Sequence, residues 1–224
     1  MNYDGYRYAF LENGAEFDLS KVQLTEKLGV LEYDIEADIQ QGAKNGYANQ
    51  DFASTYALGG EIYSMGGYHK SFRVAVKAGE TYYIAQVVGR TDNMPLSVQD
   101  YFQNSEFAKR TAKAEVLNHS GSRILHAFDH RKELQKFIEG LSASAEAAHL
   151  QAEDYQTLSK AQSSGKSFMI RLRLKDATVT SMYVVPELRL VSIGDGQYKL
   201  SDRFLSDFAK LFASLQQNEA LMTH

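Results

Sequence analysis

The heptapeptide Phe168-Met-Ile-Arg-Leu-Arg-Leu174 constrains this chain more than any other stretch. Phe168, Ile170, Leu172 and Leu174 alternate with Met169, Arg171 and Arg173, and the alternation continues to Lys175. A period of two puts all the apolar side chains on one face of a strand and the basic ones on the other. Further strand patterns follow near 178–185, 187–193 and 197–200, with Pro186 and Asp195-Gly196 as breaks. Ser201 then opens a helix whose apolar face is Phe204, Leu205, Phe208, Leu211, Phe212 and Leu215. Strands in a consecutive run, closed by one amphipathic helix, call for an antiparallel meander packed under that helix.

The N-terminal half shows the same grouping. Tyr6, Tyr8 and Phe10 alternate with polar neighbours, and Asn13-Gly14 before Phe17 and Leu19 predicts a hairpin. Ser20 and Gln23 have capping-box spacing for a short helix ending at Gly29. Residues 40–60 form the longest loop, followed by a short strand at 61–65. Two longer strands, His69–Lys77 and Thr81–Gly89, are joined by Ala78-Gly79-Glu80. Ser97 with Asp100 predicts a helix to about Asn118, and Asp129 caps another through Leu141. An alanine-rich helix is expected over about 143–161. The expected fold is therefore α+β, mainly antiparallel. It has an N-terminal hairpin, a central helical block at about 97–162, and a C-terminal meander with a terminal helix. Its 224 residues suit a single domain, or a two-lobed one with the helical block as an insertion.

Residues 31–39, Leu-Glu-Tyr-Asp-Ile-Glu-Ala-Asp-Ile, alternate apolar with acidic residues without a break. We read them as a strand. Leu24, Leu28, Leu31, Ile35 and Ile39 also share one helical face, so a helix is the rival reading. On a strand, Glu32, Asp34, Glu36 and Asp38 would stand about 6.6–7 Å apart in one row. Four like charges in a row need a complement. Within the chain the best complement is Arg171, Arg173 and Lys175; outside it, a basic partner.

Charge is unevenly spread. Residues 1–65 hold four basic and eleven acidic side chains, and residues 66–135 hold ten basic and seven acidic. The acidic start argues against a nucleic-acid surface there. The chain has no cysteine, which removes disulfides, thiolate zinc sites and cysteine nucleophiles. No apolar run approaches the roughly 18 residues of a membrane span, and the first residues lack signal-peptide features. A soluble, cytoplasmic protein is expected.

Two motifs bear on chemistry. His126-Ala-Phe-Asp-His130 resembles the inverted zinc-peptidase pattern H-x-x-E-H, with Asp129 in place of the glutamate base. On a helix, His126 and His130 would share one face at metal-ligand reach, with His119, Glu133 or His149 as candidate third ligands. Gly165-Lys166-Ser167 ends like a P-loop, but Lys160 stands where its first glycine belongs, so that reading fails. The expected function is a non-catalytic, macromolecule-binding protein without a cofactor, a protein being the first-choice partner. Partner contacts are expected at Glu32, Asp34, Glu36, Asp38, Arg171, Arg173 and Lys175. The alternatives are a hydrolase using zinc or another divalent metal at His126, Asp129 and His130, and a nucleic-acid binder using Arg171, Arg173 and Lys175.

Overall fold

The computed structural model describes residues 1–11, 23–147, 150–194 and 196–222, with side chains of the last helix described to Leu215. It has the α+β architecture, in two compact units. One comprises Met1–Glu106 with Gly194–Gly196; the other comprises Phe107–Ile193 and Gln197–His224.

The N-terminal unit contains β1 (Asn2–Tyr3), β2 (Tyr6–Phe10), β3 (Leu24–Val30), β4 (Tyr33–Asp34), α1 (Ile35–Gln40) and β5 (Ala53–Ser54). It continues with β6 (Glu61–Met65), β7 (Arg73–Ala78) and β8 (Thr81–Arg90). Six of these strands form an antiparallel sheet in the order β1-β2-β8-β7-β6-β3, and β4 pairs with β5 in parallel. The β7–β8 hairpin and β6 match the strand patterns of the sequence. Val74, Val76, Ile84 and Val87 are buried in it. Arg73 is also fully buried, its guanidinium donating twice to Gln86 Oε1 and once to Tyr68 Oη.

The N-terminal hairpin of the described structure is β1–β2, turning at Asp4-Gly5. The hairpin read around Asn13-Gly14 lies outside the described residues. The short helix expected to end at Gly29 is instead β3, and a side chain at Gly29 would collide with the Phe52 ring, 2.3 Å from an added Cβ.

The strand reading of 31–39 is overturned. Only Tyr33–Asp34 is extended, and the chain then turns into α1. The cause is Asp34 itself, whose Oδ1 accepts the N–H of Ala37 at 3.0 Å and caps the helix. The helix ends at Gln40, and Asp38 within it accepts backbone N–H groups from the loop that follows.

The C-terminal unit contains α2 (Phe107–Arg110), β9 (Thr111–Asn118), β10 (Ile124–Ala127), α3 (Arg131–Ser142), β11 (Ala145–Glu146) and α4 (Ala152–Ser163). Then come β12 (Phe168–Leu174), β13 (Val179–Val185), β14 (Leu190–Ile193), β15 (Gly196–Lys199) and α5 (Asp202–Met222). The sheet order is β10-β9-β12-β13-β14-β15-β11. The stretch 97–162 does hold α2, α3 and α4, but the strands β9, β10 and β11 interrupt it. The helix expected from Ser97 to Asn118 is a π-helical turn at Gln99–Gln103 and the single turn α2; from Thr111 the chain is strand. Thr111–Asn118 has unremarkable helix formers, yet it pairs with β10 on one side and β12 on the other, which overrides local propensity.

The meander is as its alternation demands. Phe168, Ile170, Leu172 and Leu174 are buried, and Arg173 is exposed. On α5, Phe204, Phe208, Phe212 and Leu215 are buried as expected, and Ser201 Oγ accepts the Phe204 N–H at 3.1 Å. The rings of Phe204 and Phe208 gather with Phe137 of α3 and Phe128, whose rings stack at 4.2 Å. Among the described residues no helix is long and apolar enough to cross a membrane.

Candidate functional site

A groove of about 1040 Å³ opens on the C-terminal unit. Its position follows from the way β9 begins. Leu174 pairs with Thr111 after a register shift between Arg173 and Leu174, and the Lys175 N–H donates to the Arg110 carbonyl at 2.9 Å. On the other side, the Phe128 N–H donates to the Ala114 carbonyl at 3.0 Å, which brings the start of α3 beside the start of β9. Ala108, Ala112 and half-buried Leu134 supply the apolar lining, and the buried ring of Phe128 lies against Phe137.

The remaining lining is mostly cationic. Lys109, Arg131, Lys132, Lys136 and Lys175 face Asp129 and Glu139. Within the fold Lys136 bonds Asp207 Oδ1 at 2.9 Å, and Glu139 Oε1 accepts from Gln135 at 2.6 Å. Arg131, Lys132 and Lys175 are exposed and form no ion pair among the described residues. Arg131 and Lys132 occupy the first turn of α3, where the helix dipole favours anions, and His130 at the N-cap gives no side-chain bond. Glu133 is in that turn too, so the start of α3 carries two cations against one carboxylate.

The basic row read from the sequence is divided. Arg171 lies 3.8 Å from Glu115 and donates to the Gly121 carbonyl at 3.3 Å. Glu115, only 8% exposed, also binds Lys113 at 2.7 Å. Arg173 projects from the sheet without an ion pair among the described residues. Lys175 lies beyond the strand end, in a turn held by Asp176 Oδ1, which accepts from both the N–H and the hydroxyl of Thr178. Only Lys175 of the three lines the groove.

The acidic row does not form. Asp34 is the α1 cap. Asp38, 3% exposed, accepts the N–H groups of Asn45 at 2.9 Å and Tyr47 at 3.0 Å. Burial acts to raise its pKa, but those backbone donors outweigh it and hold the carboxyl below its ordinary value. Glu32 and Glu36 are exposed and unpaired among the described residues.

The helix-face geometry of His126 and His130 is also corrected. His126 is on β10 and His130 is the N-cap of α3, so the two are not one turn apart on a helix. A strand needs a period of two, and the helix begins only after Asp129. His126 stacks edge-on against Phe128, while His119 Nδ1 lies 3.0 Å from Ser167 Oγ. His149 lies outside the described residues. Among the described residues no group of three histidine, aspartate or glutamate side chains is arranged to hold a metal ion.

Sequence reasoning missed Lys109, Arg131, Lys132 and Lys136. The usable signal was Arg131-Lys132 directly after a helix start, where acidic residues belong.

This chain matches no protein-family model, no curated protein and no solved structure.

The charge division seen along the sequence sharpens when taken by unit. The N-terminal unit has 8 basic and 16 acidic side chains, and the C-terminal unit 16 basic and 12 acidic. The groove therefore sits on the unit with positive balance.

Proposed function

We propose that this protein is a non-catalytic binding protein whose C-terminal unit receives an acidic polypeptide segment in its basic groove. The observation that carries the reading is the groove itself, with Arg131, Lys132 and Lys175 exposed at one concave site and unpaired among the described residues. Concavity gives a ligand area to bury, and like charges gathered in it attract an anionic partner at long range. Leu134, Ala108 and Ala112 add an apolar strip suited to a peptide side chain. A polypeptide fits better than nucleic acid. The one aromatic residue in the described lining, Phe128, is 2% exposed and gives bases no stacking surface.

The test is titration of the protein with a fluorescent glutamate-rich peptide and, separately, with a single-stranded oligonucleotide of equal charge. Peptide binding that weakens by about tenfold or more between roughly 50 and 500 mM salt, and is lost in R131Q/K132Q/K175Q, supports the reading. Peptide binding that survives the triple substitution, or stronger binding of the oligonucleotide, overturns it.

A further inference from the structure

The acidic stretch read from the sequence has a remaining exposed part. Glu32 and Glu36 are exposed and unpaired among the described residues, and Ile39, three positions beyond Glu36 on α1, is 60% exposed. Positions three apart on a helix are neighbours, so Glu36 and Ile39 present an acid and an apolar side chain together.

We propose that the groove of one copy receives the Glu32–Gln40 segment of a second copy. The inference rests on the groove being a dock for acidic polypeptide, and it names the polypeptide. Charge and apolar surface correspond on the two sides. Glu32 and Glu36 answer Arg131, Lys132 and Lys175, and Ile39 answers Leu134. The net signs agree as well, since the segment belongs to the unit with excess acid and the groove to the unit with excess base. A copy that docks its segment still offers its own groove, so the contacts either close reciprocally into a two-fold dimer or run head to tail into a ring or an open chain.

Sedimentation velocity on the full chain tests this at low salt, about 50 mM, and again at about 500 mM. The mean mass should rise with protein concentration at low salt and fall back to that of the single chain at high salt. Two variants separate the surfaces: E32Q/E36Q blocks the segment, and R131Q/K132Q/K175Q blocks the groove. All five positions are exposed, and circular dichroism checks that both variants keep their fold. Each alone should be monomeric, with self-association weakened by about tenfold or more. Mixed in equal amounts, they should form a dimer and nothing larger, because one intact segment meets one intact groove.

Ile39→Ser should weaken association without changing salt dependence. A wild-type chain monomeric at every concentration in low salt overturns the inference, as does a mixture that fails to pair or association indifferent to both variants. If the monomeric wild type still binds the glutamate-rich peptide, only the second-copy inference falls. If it binds neither, the reading of the groove falls with it.

Discussion

Arg171 reaches across from β12 to Glu115 on β9, 3.8 Å away, at a carboxylate that also holds Lys113 at 2.7 Å. That one acid, 8% exposed, withdraws Arg171 from the basic row and stands directly opposite it in the β9–β12 register. Glu115→Ala leaves two cations facing each other beside the core. It should cost about 1–2 kcal/mol, read as a lower denaturation midpoint at unchanged slope. Arg173→Gln, at an exposed position without an ion pair among the described residues, should move the midpoint within about 0.5 kcal/mol.

The same division predicts binding. Arg131→Gln, Lys132→Gln and Lys175→Gln should each weaken acidic-peptide binding by about two- to fivefold at low salt. Arg171→Gln should leave the affinity within about twofold, because its charge already faces Glu115 and it does not line the groove. Fluorescence anisotropy reads both, and equal losses at all four positions would refute the geometry of the site.

Four acids within seven residues should behave as two kinds. Asp38→Ala strands the N–H groups of Asn45 and Tyr47 and should cost about 1–3 kcal/mol. Asp34→Ala removes the α1 cap at about 1 kcal/mol. Glu32→Gln and Glu36→Gln should change stability by less than about 0.5 kcal/mol. Urea melts of the four variants give the order directly.

Alkaline pH should loosen the N-terminal unit through Tyr6. Its hydroxyl donates to Asp100 Oδ1 at 2.7 Å, and burial, then that bond and the nearby charge, push its pKa from 10.0 to about 12. The folded state thus holds the proton more tightly than the unfolded one. The stabilisation is complete below pH 10 and is lost as pH rises toward about 12. Tyr6→Phe should remove this contribution over that window, measured as the difference between alkaline unfolding profiles. Asp100 moves the other way. Burial would raise its pKa, but the donors Tyr6 and Ser97 more than compensate and lower it, so its contribution is lost as pH falls through the folded-state value.

At Gly140, α3 lies close against Phe204 of α5. A Cβ there would stand 2.7 Å from Cδ2 of Phe204, a ring only 1% exposed. Gly140→Ala should therefore destabilise by about 1–3 kcal/mol, although alanine is the better helix former by about 1 kcal/mol. A thermal melt with raised stability would show that α5 yields more easily than its packing indicates.

The C-terminal half was legible where a single face meets a core. Phe168 to Leu174 alternates because β12 has one buried side, and α5 repeats its phenylalanines at helical spacing because one stripe packs inward. The β7–β8 hairpin was legible for the same reason, with its turn at Ala78-Gly79-Glu80. Residues 31–39 misled because alternation and helical spacing coincide there. Asp34 decided it by accepting a backbone N–H three residues on, a bond that no periodicity encodes.

Sequence alone determined the α+β class, the meander, the terminal amphipathic helix, the absence of thiol chemistry, and an acidic start followed by a basic middle. Tertiary structure decided which charges are free. Neighbours from distant segments neutralise Arg171, bury Asp38 and separate His126 from His130. It also gathered Arg131, Lys132 and Lys175, more than 40 residues apart at the extremes, around one groove. Period and composition report which face of an element is buried. A site depends on which elements meet, and that is settled by the pairing of β9 with β12 and β10.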